Sequence, residues 1–279
     1  MDLAVDGAAV ATLDRGDGPG APLLCVHGFT GSKEDFAPVL DALAAERRVV
    51  AVDLPGHGGT PGLDDPAAYS LETVAGWVLR AADTLGLGEC HLLGHSLGGL
   101  IVQRAAAVAS QRLRSLILAD TGLGAQRQER ADHKTRIAVA ARDAGLAAAL
   151  TIAPDPVGAA SPHSIDEDPE RQAFERARFL ALNPAAVIGE VRAMLAAAPL
   201  GAFLRGIDIP VLVLHGEDDQ SWNAVEQALL VRSIAGAEHV VIAAAAHSPQ
   251  LENPKAWVAT VVDFLARADK IGARPPSAT

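Results

Sequence analysis

The sequence predicts an α/β fold: a doubly wound, mostly parallel sheet of eight strands, with a helical cap inserted after the sixth. Three observations carry that expectation. Short apolar runs alternate with amphipathic helical stretches over the first 120 residues. These runs are largely apolar, the pattern of strands covered on both faces. The alternation then stops between residues 121 and 206, and resumes as far as residue 268.

Taken in order, residues 3–5 and 8–13 suit a leading hairpin. Residues 22–26 (PLLCV), 48–52 (RVVAV), 89–94 (ECHLLG) and 115–119 (SLILA) read as buried strands, and 209–215 and 239–243 complete the sheet. Amphipathic helices are expected over 36–46, 70–85, 96–109, 222–234 and 254–268. The core is therefore assigned to 1–120 and 207–268, the cap to 121–206 and a flexible tail to 269–279. Within the interruption, 154–169 is loop-like and its surroundings are helical. Open α/β sheets bind ligands beyond the C-terminal ends of their strands, so a long insertion between two strands reads as a cover for that region. A decorative insertion is the plainer alternative.

Composition narrows the class. About half of the 279 residues are hydrophobic (49%), enough to build a core without staples. The formal charge of −11, with both signs mixed along the chain, argues against a nucleic-acid surface. No run approaches the roughly 20 apolar residues that span a bilayer, and the first residues lack a secretory signal pattern, so no membrane is involved and a cytoplasmic location is expected. Cys25 and Cys90 sit in apolar runs and read as small buried hydrophobes.

The chemistry centres on Gly94-His95-Ser96-Leu97-Gly98, set between a strand and a helix. A nucleophile at that junction sits on a tight turn that lifts its hydroxyl off the sheet. Side chains two residues to either side would collide, hence glycine at both. A helix N-cap is the plainer role for Ser96. Serine needs a base to take its proton. His247, on a loop after the last strand, is placed to be that base. The base in turn needs an acid to orient it. Asp219, after the strand VLVLH, is the first choice, with Asp218 next to it and Asp120 after LILA as alternatives. The glycine-rich turn His27-Gly28-Phe29-Thr30-Gly31 follows another strand, and the backbone N–H groups of Phe29 and Leu97 are the expected oxyanion donors. His27 is read as an organiser of that turn. His95, Phe174, Phe179 and Met194 are candidate substrate contacts, ordinary helix packing being the alternative for the cap residues. Arg127, Arg130, Arg136 and Arg178 are candidate partners for a substrate carboxylate, with solvated helix faces as the alternative.

These motifs (HGFTGS, DLPGHG, GHSLGG, HGEDD and AHSPQLENP) resemble those of the α/β-hydrolase superfamily, in its capped branch of esterases, lactonases and carbon–carbon-bond hydrolases. The resemblance implies the fold and a Ser-Asp-His order of catalytic groups. Serine at the elbow separates the chain from dehalogenases and epoxide hydrolases of this fold, which carry aspartate there. HGFTGSKEDF also resembles the lyase that makes 2-succinyl-6-hydroxycyclohexadiene carboxylate. That family has tryptophan where Phe36 stands and arginine where Leu100 stands. LILADTG is similar to enol-lactone hydrolases. The expected function is cleavage of a small ester, lactone or thioester through an acyl-enzyme on Ser96. It needs a small-molecule acyl substrate, no cofactor and no metal, in a monomer or homodimer. A lyase or C–C hydrolase using the same residues is the alternative, and a non-catalytic ligand-binding protein is a third reading.

Overall fold

The computed structural model describes residues 4–153 and 168–271. Nine strands are defined among them: β1 Ala4–Val5, β2 Ala8–Ala9, β3 Thr12–Arg15, β4 Gly20–Val26, β5 Arg47–Val52, β6 Cys90–His95, β7 Leu113–Ala119, β8 Val211–Gly216 and β9 Glu238–Ile242. Seven of these form one sheet in the order β3-β5-β4-β6-β7-β8-β9. Only β3 runs antiparallel to its neighbour. The sheet thus has seven strands where eight were expected. The leading hairpin splits at residues 10–11: β1 and β2 pair only with each other, through Ala4↔Ala9 and Val5↔Ala8, and β3 joins the large sheet. The split has a local cause. Ala11 donates its N–H to Thr60 Oγ1 (3.0 Å) and accepts from the N–H of Asp53 (2.9 Å), so its backbone is engaged by the loop after β5.

The helices that follow are α1 Ala37–Leu43, α2 Leu71–Thr84, α3 Leu97–Ala109, α4 Gln128–Ala144, α5 Leu146–Leu150, α6 Pro169–Leu180, α7 Pro184–Leu195, α8 Gly201–Arg205, α9 Ala224–Arg232, α10 Pro249–Glu252 and α11 Pro254–Ile271. Strand residues alternate between the two faces. Leu24, Val26, Val50 and Val52 pack with α2 and α3, whereas Leu23, Cys25, Val49 and Ala51 pack with α1 and α11. Both faces are therefore covered, and β6 and β8 are buried at every residue. Cys25 and Cys90 are free and buried.

Several helix boundaries follow from capping side chains. Ser70, Asp168, Asn183 and Asn223 each accept from N–H groups of the first turn of α2, α6, α7 and α9. The Asn223/Glu226 capping box starts α9 two residues later than expected from the apolar pattern. At the other end α11 continues to Ile271, so the expected tail begins inside a helix, and residues 272–279 lie outside the described residues. The interruption between β7 and β8 carries α4 to α8. Most of its loop-like part, 154–167, lies outside the described residues. Among the described residues no helix is long and apolar enough to cross a membrane.

Candidate active site

The strand β6 ends at His95, and Ser96 takes the strained conformation φ 54°, ψ −117° before α3 begins. Close packing enforces the glycines around it. A Cβ on Gly94 would lie 2.3 Å from the Gly98 carbonyl oxygen, and one on Gly98 would lie 2.3 Å from that of Val26. The Ser96 side chain makes no cap hydrogen bond to α3, which sets aside the plain capping role. The backbone of the turn is held instead by Thr121, whose hydroxyl donates to the Ser96 carbonyl (2.7 Å).

Ser96 Oγ lies 3.0 Å from His247 Nε2, and His247 Nδ1 lies 3.1 Å from Asp219 Oδ1. The three residues come from the ends of β6, β8 and β9 and meet at one edge of the sheet. Asp219 is buried and holds its place through the N–H groups of Ser221 (2.8 Å) and Trp222 (3.2 Å), which donate to Oδ1. Asp218, the neighbouring alternative, is half-buried, and its own N–H donates to the Ala245 carbonyl. Asp120, the other alternative, ends β7 and is fully buried, accepting from the Gly216 N–H (2.9 Å). Burial and then the nearby Asp219 push its carboxyl well above the ordinary range, which favours the neutral form of Asp120. Ligand atoms of Asp120, Asp219 and His247 lie within 4.8 Å of one another, and no other such group is found among the described residues. Two of its members, Asp219 and His247, belong to the hydrogen-bonded row that ends at Ser96.

The loop carrying His247 has two further supports that the sequence pattern did not indicate. Glu252 Oε2 accepts from the N–H of Ala246 (2.5 Å) and of Ser248 (3.4 Å). His95 is buried, and its Nε2–H donates to the His247 carbonyl at 2.7 Å. Burial, then the proximity of His247, lowers the His95 pKa to about 4, so its ring is neutral. His95 thus steadies the loop that carries His247.

On the opposite side, Gly28 lets the turn after β4 approach the elbow: a Cβ there would sit 3.0 Å from Ser96 Cβ. The N–H groups of Phe29 and Leu97 donate to no acceptor among the described residues. His27 donates from Nδ1 to the Gly28 carbonyl (2.8 Å) and accepts at Nε2 from the Leu54 N–H (3.0 Å). It ties the turn to the loop after β5, and burial keeps it neutral, with a pKa near 3. Asp53 organises that second loop by accepting from the N–H groups of Lys33 (2.8 Å) and Gly59 (2.9 Å).

The three apolar candidates of the α4–α8 segment do not converge. Phe179 is buried with Ile137, Ala141, Leu182 and Val187, a cluster against which Phe29 also packs. Met194 joins the core on the α2/α3 face. Phe174 is 38% exposed, with the guanidinium groups of Arg171 and Arg178 over its ring.

A family model described as alpha/beta hydrolase fold matches residues 21–254. The chain is similar over nearly its whole length to a 2-succinyl-6-hydroxy-2,4-cyclohexadiene-1-carboxylate synthase of Klebsiella pneumoniae, at 30% identity over 266 residues (92% of this chain, 98% of that protein). Over 121 residues it is 40% identical to the dihydrolipoyllysine-residue acetyltransferase component of the acetoin-cleaving system of Pseudomonas putida, a stretch that makes up 43% of this chain and only 32% of that longer protein. Among solved structures, the enol-lactonase of Burkholderia xenovorans superposes with a TM-score of 0.81 at 27% identity, covering 94% of this chain and 98% of that one. A thermophilic esterase of Thermogutta terrifontis gives 0.81 at 26% identity, covering 96% and 97%. With a matching family model over most of its length and full-length structural likeness to esterases and lactonases, the chain belongs to the α/β-hydrolase fold family and is an enzyme of the hydrolase type.

Proposed function

We propose that the protein hydrolyses a small carboxylic ester, lactone or thioester through an acyl-enzyme on Ser96. The observation that carries this reading is the unbroken chain from Ser96 Oγ through His247 to Asp219, with separations of 3.0 and 3.1 Å. His247 Nε2 takes the hydroxyl proton as Ser96 Oγ bonds to the acyl carbon, and the carbonyl π pair moves onto oxygen. Phe29 and Leu97 N–H groups donate to that oxyanion, an arrangement in which each donor is worth about 10²–10³ in rate. Asp219 keeps Nδ1 protonated and stabilises the imidazolium. The oxyanion collapses, the bond to the leaving group breaks, and His247 returns its proton to that group. Water then repeats the sequence on the acyl-enzyme and releases the acid. Every group comes from a single chain, so a monomer suffices. In this reading α4 to α8 cap the site and the substrate is a small molecule met in the cytoplasm.

A second reading is favoured by the full-length similarity to the cyclohexadiene carboxylate synthase. There Ser96 and His247 would remove a proton and expel a leaving group without hydrolysis. Phe36 and Leu100 weigh against it, since both are fully buried core residues, neither offering the group that family carries. Intact mass after treatment with a fluorophosphonate probe tests the first reading. A single adduct is expected on the wild type and none on Ser96→Ala. A folded wild type that stays unlabelled would reject the acyl-enzyme.

A further inference from the structure

The four arginines of the α4–α8 segment singled out as carboxylate partners are committed within the protein. Arg127 pairs with Glu226 (3.0 Å), Arg130 donates to the Gln220 carbonyl (2.6 Å), Arg136 contacts His133 (3.3 Å) and Arg178 pairs with Asp35 (2.5 Å). A fifth cation, Lys134 on α4, differs from all of them. Its ammonium is half-buried, lies 4.6 Å from the centre of the Phe29 ring, and forms no ion pair among the described residues.

An enclosed ammonium ordinarily acquires an anionic partner, because a ring face replaces only part of the lost hydration. Among the described residues, the groups around Lys134 do not provide one. Arg130, one turn earlier on the same helix, repels it. From α7, Glu190 attracts it without contact, and the Glu190 carboxylate faces His57 at 3.4 Å. The short helix α5, which also packs on α4, brings no titratable group. Burial, then Arg130, lowers the Lys134 pKa to about 8 against the pull of Glu190, so the amine is mostly protonated at neutral pH. The ring beneath it belongs to the residue whose N–H faces the proposed oxyanion. Lys134 Nζ therefore lies over the side chain of one of the two proposed oxyanion donors.

We propose that Lys134 binds an anionic group on the acyl portion of the substrate, so that the site favours esters and lactones bearing a second, free carboxylate. This rests on the acyl-enzyme reading above. It names a substrate class for that reading and a binding residue that neither composition nor motif reveals.

The test compares monophenyl esters of C4 to C7 dicarboxylic acids with phenyl esters of matching unbranched monocarboxylic acids, corrected for spontaneous hydrolysis. In the wild type the best dicarboxylate monoester should exceed its neutral match at least tenfold in kcat/KM. Lys134→Met should bring that ratio close to one while changing the neutral esters less than threefold, and Lys134→Arg should restore part of it. The ratio should also fall as pH rises from 7 to 9.5, because the ammonium is lost through about pH 8, and a ratio of two esters on one enzyme cancels any pH effect common to both. A wild-type ratio at or below one, or equal losses on both ester series in Lys134→Met, overturns the proposal. If fluorophosphonate leaves the folded wild type unlabelled and no ester turns over, the acyl-enzyme reading has failed. Calorimetric titration of the Ser96→Ala protein with C4 to C7 dicarboxylates, with and without Lys134→Met, then decides on Lys134. Saturable binding lost with Lys134→Met supports it, and absence of binding, or binding the change leaves intact, overturns it.

Discussion

Two hydrogen-bonded Ser–His–Asp sets occupy opposite ends of the same sheet. Ser96, His247 and Asp219 meet beyond the C-terminal ends of β6, β8 and β9. Near the N-terminal ends of β6 and β7, Ser115 Oγ lies 2.7 Å from His91 Nδ1, and His91 Nε2 lies 3.0 Å from Asp269 Oδ1 of α11. Residue types and distances are nearly the same. The surroundings are not. Ser115 and His91 are fully buried partners in the β6–β7 ladder, so regular strand backbone holds them. Ser96 stands on a strained turn at φ 54°, with two unengaged N–H groups nearby and a half-buried histidine. The ring is also reversed, since Ser115 faces Nδ1 whereas Ser96 faces Nε2. Burial lowers the His91 pKa to about 4 despite the attraction of Asp269, which leaves it a poor base. A serine, a histidine and an aspartate in a row therefore do not make a nucleophile. The turn, the donors and an accessible ring are what separate the proposed catalytic set from a structural staple joining α11 to the sheet.

The sharpest way to break this contrast is to remove each serine. Ser96→Ala should lower kcat on a phenyl ester by about 10⁴-fold or more, since groups that act as a unit fail together. Its urea midpoint should stay close to that of the wild type, because alanine keeps the same backbone and Ser96 makes few stabilising contacts. Ser115→Ala should do the reverse: kcat within twofold, and stability lower by about 1–3 kcal/mol as buried His91 loses its hydrogen-bond partner. Turnover abolished in a stable Ser115→Ala protein would end the distinction.

The aspartates sharpen it further. Asp219→Asn should cost roughly 10³–10⁴ in kcat, because the amide favours the wrong histidine tautomer. Asp120 lies beside the same cluster, yet its carboxyl is held neutral by burial and by Asp219. Asparagine resembles that neutral form and still accepts from the Gly216 N–H. Asp120→Asn should therefore keep kcat within tenfold. It should also gain stability at neutral pH. With the folded pKa raised, the unfolded chain releases the Asp120 proton near pH 4 while the folded protein retains it, so wild-type stability falls as pH rises above that value. Urea unfolding at pH 4 and pH 7 should show Asp120→Asn gaining on the wild type at the higher pH. A loss of kcat equal to that of Asp219→Asn would make Asp120 part of the working acid.

Much of this was legible in the sequence because short-range physics wrote it there. Largely apolar runs mark β4 to β8, and the glycines at 94 and 98 mark the elbow, since no side chain fits at either place. The leading hairpin was misread because its break depends on Thr60 and Asp53, some 50 residues away, which engage Ala11. The strand end offers Asp218 and Asp219 side by side, and only tertiary structure shows which oxygen is near Nδ1. Partners decide the cations. Arg127, Arg130 and Arg178 read as free in the sequence because Glu226, Gln220 and Asp35, which engage them, are remote along the chain, and only the tertiary arrangement of the described residues sets Lys134 apart. Likewise nothing local to ECHLL or LRSLI announces a second Ser–His–Asp row, since α11 provides its third member.

That row yields the smallest expected effect and a signed pH dependence. His91→Leu should not touch kcat by more than twofold, but it strands Ser115 Oγ, leaves Asp269 paired with Arg47 alone, and should cost about 1–3 kcal/mol at pH 7. The deficit should shrink in acid. His91 is neutral in the fold down to about pH 4, whereas in the unfolded chain it binds a proton near pH 6.5. Between those values the unfolded state holds the extra proton, so wild-type stability falls as pH drops, by up to about 1.4 kcal/mol per unit for one such group. His27 and His95, also buried and neutral, impose the same slope and remain in the variant. Leucine removes only the His91 share, and the two unfolding curves should therefore converge from pH 7 towards pH 4. If the gap instead stays constant or widens, His91 carries a proton in the folded protein, and the two rows are more alike electrostatically than their burial implies.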